Sequence, residues 1–593
     1  MFNSCSSIES VMRNCLFGFQ TIRALKKKET LDRDFNQEDF LQCSCQLTLY
    51  SVYGELLQHA EGTGHYDKML SATLKYAQLC TEWINISEAK RVIEITIQLL
   101  DNPVYTTKYV QWKLNQKRGK MFTYLGNIAM RSDFLDEAFK MYLTALFYFG
   151  YKFPRNKLSI KISTLINDLK HKKRYFIQSG ITRIIECRNA KFHEDLAECL
   201  LSFSNLTMRL GKIKMGYLAA TWALNEALVS NVNYIVLCKT FAQMIELNSQ
   251  MGRKHFVVAL ETYSLRMVHM KRIISLPDDV KATAVLYSAI FLGRMFRSEL
   301  DVSRDIGIMA WKMGHGKNTA TLMVNGLPLL MINTLYRKLL DETRTVLQEM
   351  DIFAREDKDI TGTLNYFSLC IVLQLETGYV FESFASVRRF LKSQAFDTGN
   401  PRELGSRTRL LIIAWLWFVR NNQWEMANFW EFSISKLKLN RRNENLINLI
   451  WSLYILEGQI MILVSEIEKR NIVGTMRMYK KIDAYIAKID SCREIAPIII
   501  PRLTHLKAYY RLVKTNDYVE CLNELQKAKK YALKFNNILE HTWIEHSEKV
   551  WKNELAKEEM DYWKNHSEFD TIDISHLDVD DTKPFSLPLP DLV

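Results

Sequence analysis

The chain has 593 residues, of which 48% are hydrophobic and 24% charged, with a formal net charge of +13. A single core stops growing near ~250–300 residues, so this length excludes one compact domain and requires several domains or an extended array. Glycine (22) and proline (10) are scarce, which argues against a turn-rich sheet protein and for helices joined by short loops.

The first fifteen residues place Glu9 and Arg13 where a signal peptide needs an apolar run, so a cytoplasmic chain is expected. Residues 1–40 read as a helical lead-in. Cys43 and Cys45 lie too close together for a zinc knuckle, and none of the eleven cysteines forms a Cys-x-x-Cys pair. Such isolated cysteines read as small buried hydrophobes in a reducing compartment.

Residues 41–270 read as tetratricopeptide-like helical repeats. The clearest unit is Met121–Pro154, two apolar blocks at helical spacing around a polar turn at Arg131–Asp133. Gly126, Ala138 and Ala145 are the small residues that let two antiparallel helices approach, with Phe122, Leu125 and Tyr142 filling the space beside them. Gly150 and Pro154 end the second helix. Ser204, Gly216 and Ala223 repeat the ladder, with a turn at Leu210-Gly211.

Residues 271–565 read as degenerate helical repeats. Asp278–Arg297, Leu335–Arg355 and Leu446–Lys488 each have a helical period, and no stretch alternates as a strand. Asn421–Gln423 is a turn before Trp424–Ala427, but Trp415 stands where a small residue belongs, so the helix pair is expected to splay. Thr515–Tyr518 is the last turn, followed by Cys521, Leu525 and Ala528. One helix pair cannot bury its own apolar face, so stacked neighbours must do so. The predicted fold is all-α, an extended tetratricopeptide-like helical repeat array, or α-solenoid.

Two apolar stretches test for a membrane. Leu410–Val419 is too short to span ~30 Å, and Leu446–Val464 is interrupted by Asn448, Ser452, Glu457 and Gln459. Both read as buried core helices, so no transmembrane segment is expected. Residues 566–593 carry three of the ten prolines and, from Glu568, seven acids against one lysine. An acidic, disordered tail is expected there, solvated in preference to docking on the basic array.

The positive charge comes in small knots, Lys26–Lys28, Lys170–Arg174 and Lys436–Arg442, without the aromatic platforms of RNA-binding modules. They read as solvated helix ends, and no nucleic-acid partner is expected. Gly314-His-Gly316-Lys317-Asn-Thr319 looks like half a P-loop, but Trp311 and Asn318 occupy the positions of its first glycine and its metal-binding hydroxyl. His193-Glu194 is followed by no second histidine at metal-ligand spacing. There is no Gly-x-Ser-x-Gly elbow. The acid pairs Asp278-Asp279 and Asp580-Asp581 read as solvated. No catalytic, cofactor-binding or metal-binding residue is assigned, and no cofactor is expected.

The block His65-Tyr-Asp-Lys-Met-Leu70, Lys75–Leu79, Ser87-Glu-Ala-Lys90 and Leu99–Asp101 resembles the helical arm that follows the P-loop ATPase module in large signal-transduction ATPases. In that arm a Glu-Ala turn opens a helix pair, here Glu88-Ala89. Leu125-Gly126, Asp136–Ala138, Ala145-Leu146 and Phe149–Pro154 are similar to its next unit. From about residue 40 to 565 the chain resembles the C-terminal region of the soluble adenylate cyclase family, adenylate cyclase type 10. The resemblance implies a regulatory or scaffolding role beside modules that convert ATP to cyclic AMP. None of those modules' catalytic residues has a counterpart here, so a C-terminal piece or truncated product is expected. Its partners would be proteins or the missing catalytic modules. The competing expectation is a free-standing tetratricopeptide adaptor for protein–protein interaction.

Overall fold

The computed structural model describes residues 45–63, 66–82, 85–100, 111–172, 189–230, 233–271, 277–314, 320–356, 360–393, 396, 404–436, 446–554 and 582–590. Among these there are twenty-three α-helices, one short 3₁₀ turn and no strand, so the all-α expectation holds. The expected lead-in at 1–40, the lysine knot at 26–28, residues 315–319 of the half P-loop and the acids at 568–581 lie outside the described residues. The chain forms two units, residues 1–247 with 258–283, and residues 248–257 with 284–593.

The first unit begins with α1 (Cys45–Thr63), α2 (Tyr66–Glu82) and α3 (Ile86–Leu100). Glu88-Ala89 lies inside the first turn of α3, not in a turn of its own. The chain reverses just before it, where Asn85 Oδ1 accepts from the Glu88 N–H at 3.4 Å. Next come α4 (Gln111–Arg131), α5 (Leu135–Tyr148), α6 (Lys157–Lys172), α7 (Ala190–Arg209) and α8 (Ile213–Ser230). The small-residue ladder does what its spacing predicts. Ala138 and Ala145 are fully buried, and a Cβ on Gly126 would stand 2.7 Å from the Tyr142 ring, so only glycine lets α4 meet α5 there. In the second ladder the buried Ser204 hydroxyl donates to the Gly216 carbonyl at 2.8 Å, bonding α7 to α8.

α9 (Tyr234–Gln250), α10 (Lys254–Met270) and α11 (Pro277–Phe296) include the residues at which the units divide. Asp279 departs from the solvated reading. It is 5% exposed and ion-paired with Lys271, whose ammonium lies over the Tyr234 ring.

The second unit continues with α12 (Leu300–Gly314), α13 (Ala320–Tyr336), α14 (Leu340–Glu356), α15 (Thr361–Thr377), α16 (Phe384–Leu391), α17 (Leu404–Arg420) and α18 (Trp424–Lys436). It ends with α19 (Leu446–Glu468), α20 (Ile472–Asp490), α21 (Ile500–Thr515), α22 (Tyr518–Lys534) and α23 (Ile538–Trp551). Six of these form an inner circuit. α13, α15, α17, α19, α21 and α23 each pack on the next, and α23 also packs on α13. α14, α18, α20 and α22 pack around them. α13, α15, α17 and α19 are apolar nearly all round, as befits helices covered on most sides. α19 alone among the described helices is long and apolar enough to cross a membrane, yet 78% of its apolar window is buried within the protein.

One turn recurs. Asp133, Gly150, Gly211, Gly252, Ser298, Lys338, Asn422, Arg470, Asn536 and Asn553 all have positive φ at a helix end. In each case the following N–H donates to a carbonyl five residues back, as Phe134 does to Ala129 at 2.9 Å and Gln423 to Phe418 at 3.0 Å. This Schellman closure satisfies the last carbonyls of the helix and reverses the chain in three residues. It places turns where the sequence predicts them at 131–133, 210–211 and 421–423, and at 515–518 left-handed Asn516 makes the turn with a single bond from its N–H to the Leu512 carbonyl at 2.9 Å. It also breaks two stretches that read as single helices. Leu335–Arg355 is interrupted at Lys338, and Leu446–Lys488 at Arg470, where Asn471 caps α20 by accepting from the Gly474 N–H at 3.0 Å. Lysine and arginine carry no left-handed signal, so the apolar period runs on through both turns.

Trp415 packs toward α19. Gly458 of α19 supplies the missing space, since a Cβ there would lie 2.5 Å from Trp415 Cζ3.

Candidate functional site: a buried charge cluster under the C-terminal segment

Five of the six inner helices of the second unit send a polar group inward. Glu376 closes α15, Arg420 closes α17, Glu457 interrupts the apolar run of α19, Arg502 and His505 lie on α21, and Glu540 and Ser547 on α23. None of the three carboxylates is more than 3% exposed. Burying charges costs several kcal/mol per ion unless they are paired, and here the pairing is dense. Arg502 Nη2 donates to both Glu376 oxygens at 2.5 Å, and its Nε pairs with Glu540 Oε2 at 2.8 Å. Arg420 Nε donates to Glu457 Oε1 at 2.7 Å, and its Nη1 to the Leu375 carbonyl at 2.5 Å. The two guanidiniums lie 4.0 Å (Arg502) and 5.1 Å (Arg420) from the Trp543 ring.

The electrostatics follow from burial against pairing. Burial pushes the Glu376 carboxyl up, and Arg502 and Arg420 only partly offset it. Burial also acts upward on Glu540, but Arg502 and the His505 hydrogen bond outweigh it and hold this carboxyl below its usual range. Burial would lower the Arg502 guanidinium, yet Glu376, Glu540 and Glu457 together raise it. Three carboxylates face two guanidiniums, so one further proton makes the cluster neutral. Burial makes the Glu376 carboxyl the place that favours it.

His505 Nδ1 lies 2.7 Å from Glu540 Oε1 and its Nε2 lies 2.9 Å from Ser547 Oγ. Carboxylate, imidazole and hydroxyl thus stand in the order of an acid–base–nucleophile relay. Acyl transfer also needs main-chain donors free to hold an oxyanion. Ser547 sits inside α23, where the surrounding N–H groups are spent in helix bonds. The chain of bonds therefore locks α21 to α23.

Above the cluster lies Thr582–Pro590, and these nine residues are packed on the protein where the sequence suggested solvation. Leu587 is fully buried and Phe585 is 7% exposed, with the Arg420 guanidinium 4.6 Å from the Phe585 ring. The Lys583 N–H donates to the Thr377 carbonyl at 2.8 Å. Tyr509 Oη donates to the Pro588 carbonyl at 2.6 Å and Trp551 Nε1 to the Leu587 carbonyl at 3.4 Å. Ser586 Oγ meets His546 Nε2 at 3.0 Å. Acid count dominates the composition of residues 566–593, but Phe585 and Leu587, two residues apart, are apolar anchors that composition averages away.

The sequence assigns no site residue, and this cluster is what it passes over. The available signal was a lone charge within or at the end of a long apolar run: Glu376 after Leu369–Leu375, Arg420 after Leu410–Val419, Glu457 within α19. Such charges are rarely fully buried unless paired. Elsewhere, His193 Nδ1 meets Glu226 Oε2 at 2.6 Å in the first unit, and Glu226 also accepts from Tyr151 Oη at 2.7 Å. Of the cysteines, Cys80, Cys199, Cys238, Cys370, Cys492 and Cys521 are buried free thiols, and burial pushes Cys199 up to about 12. Among the described residues no group of three His, Cys, Asp or Glu is disposed to hold a metal ion. Compared with protein-family models and with curated proteins, the sequence matches none.

Proposed function

We propose that this chain is a non-catalytic regulatory or scaffolding helical-repeat region, of the kind that forms the C-terminal part of soluble adenylate cyclases. The observation that carries the scaffolding half is the seating of Lys583–Pro590. A helical surface holds an extended segment through main-chain bonds and two apolar anchors, which is how helical arrays bind partner peptides. The recurring three-residue turn supports repeated tetratricopeptide-like units, and the cyclase half rests on the residue resemblance in 65–154. The partners are then proteins, or catalytic modules on which the array packs. Purified chain given ATP with Mg²⁺ or Mn²⁺ should form no cyclic AMP, and robust synthesis would sink the reading. Cyclase and P-loop coding sequence in frame with Met1 would support the parentage. The second reading, a free-standing adaptor, uses the same surface without any module, and recovery of one stoichiometric partner free of cyclase modules would favour it.

A further inference from the structure

The seat of Lys583–Pro590 has the parts of a peptide-recognition site. Two rings offer their polar tips to consecutive carbonyls of the segment, Trp551 to Leu587 and Tyr509 to Pro588, and the Thr377 carbonyl takes the Lys583 N–H. These contacts read the main chain and are indifferent to side-chain identity. Specificity comes from alternate residues, as in an extended strand. Phe585 packs against the Arg420 guanidinium and Leu587 fills a fully enclosed position. Pro584, Pro588 and Pro590 restrict the segment to extended backbone before it binds, which lowers the entropy lost on docking. Beneath it, ion pairs hold Arg420, and Tyr509 stacks on Trp551 with ring centroids 5.9 Å apart, so the receiving surface is organised by the cluster as well as by the segment.

We propose that the surface formed by α15, α17, α21 and α23 is a recognition site for an extended Phe-x-Leu-Pro segment of a partner protein, and that Phe585–Pro588 is its cis occupant. This deepens the scaffolding reading and rests on it. The occupant belongs to the same chain as its seat, so it competes intramolecularly with any partner segment. A partner segment must displace it, so the cis segment sets the threshold for partner binding.

The test uses the full chain with a protease site introduced between Trp551 and Thr582, cut after folding. Fluorescein-labelled Lys-Pro-Phe-Ser-Leu-Pro-Leu-Pro is titrated by anisotropy into cut and uncut protein. We expect binding to the cut chain, at least tenfold weaker binding to the uncut chain, and at least tenfold weaker binding of a peptide carrying F585A and L587A. A cut chain that keeps its own segment through gel filtration and takes up no labelled peptide would make the segment a fixed part of the core and overturn the proposal. Equal binding of the double-alanine peptide would overturn it too, as would dimers of uncut chain built by exchanged tails. Cyclic AMP synthesis would sink the scaffolding reading while leaving peptide exchange intact, so the two failures are distinguishable.

Discussion

Arg502→Met is the sharpest probe of the buried cluster. The substitution keeps much of the side-chain length and removes the cation that pairs with Glu376 and Glu540 and lies 4.0 Å from the Trp543 ring. Removing one partner of a buried pair costs about 3–5 kcal/mol, because the remaining carboxylates stay buried without it. The lost cation–π contact adds about 1 kcal/mol. Near pH 8 the total is on the order of 4–6 kcal/mol, a large share of the stability of a typical domain. The loss is pH-dependent with a definite sign. Without Arg502 the folded-state values of Glu376 and Glu540 rise, so protonation relieves the penalty as pH falls through them. Glu376→Gln added to Arg502→Met restores the wild-type excess of one negative charge and should recover at least half of the loss. The assay is hydrogen exchange of peptides from α15, α21 and α23 between pH 5.5 and 8, with α7 and α8 as internal controls. A chain of two units need not unfold in one step, which is why a local probe is needed. A loss below about 1 kcal/mol, independence of pH, or further destabilisation by Glu376→Gln would refute the reasoning.

Other substitutions test separate parts. Gly458→Ala drives a methyl into the Trp415 ring and should cost about 1–3 kcal/mol by overpacking, whereas Gly458→Ala with Trp415→Leu should recover most of it in urea unfolding. Burial pushes the Glu246 carboxyl up to about 7 from the usual 4.5. Its folded form therefore holds a proton that the unfolded chain has lost, and stability falls as pH rises from about 4.5 to 7. Glu246→Gln should add about 1–3 kcal/mol at pH 8 and nothing near pH 4.5, and a flat difference across that range would contradict the assignment. Ser547→Ala should cost about 1–2 kcal/mol of α21–α23 stability through the bond lost to His505, and fluorophosphonate should label neither form, whereas labelling lost with Ser547 would make the relay catalytic.

Periodicity and turn chemistry in the sequence determined that the chain is helical and where four of its turns fall, because both are local properties. The Gly126, Ala138 and Ala145 ladder was legible for the same reason, since small residues twelve and seven apart must meet once two helices fold back. Lys338 and Arg470 were not legible as turns, because neighbouring packing imposes their left-handed backbone against their own preference. Gly458 answers Trp415 from a helix some forty residues on, which no window along the chain can detect. The charge cluster draws one or two residues from each of five helices spanning Glu376 to Ser547. Only the circuit of inner helices brings these charges within bonding distance, and only that proximity lets them remain buried. The same circuit decides the fate of the C-terminal segment: its composition is that of a solvated tail, and it becomes buried because a surface assembled elsewhere accepts Phe585 and Leu587.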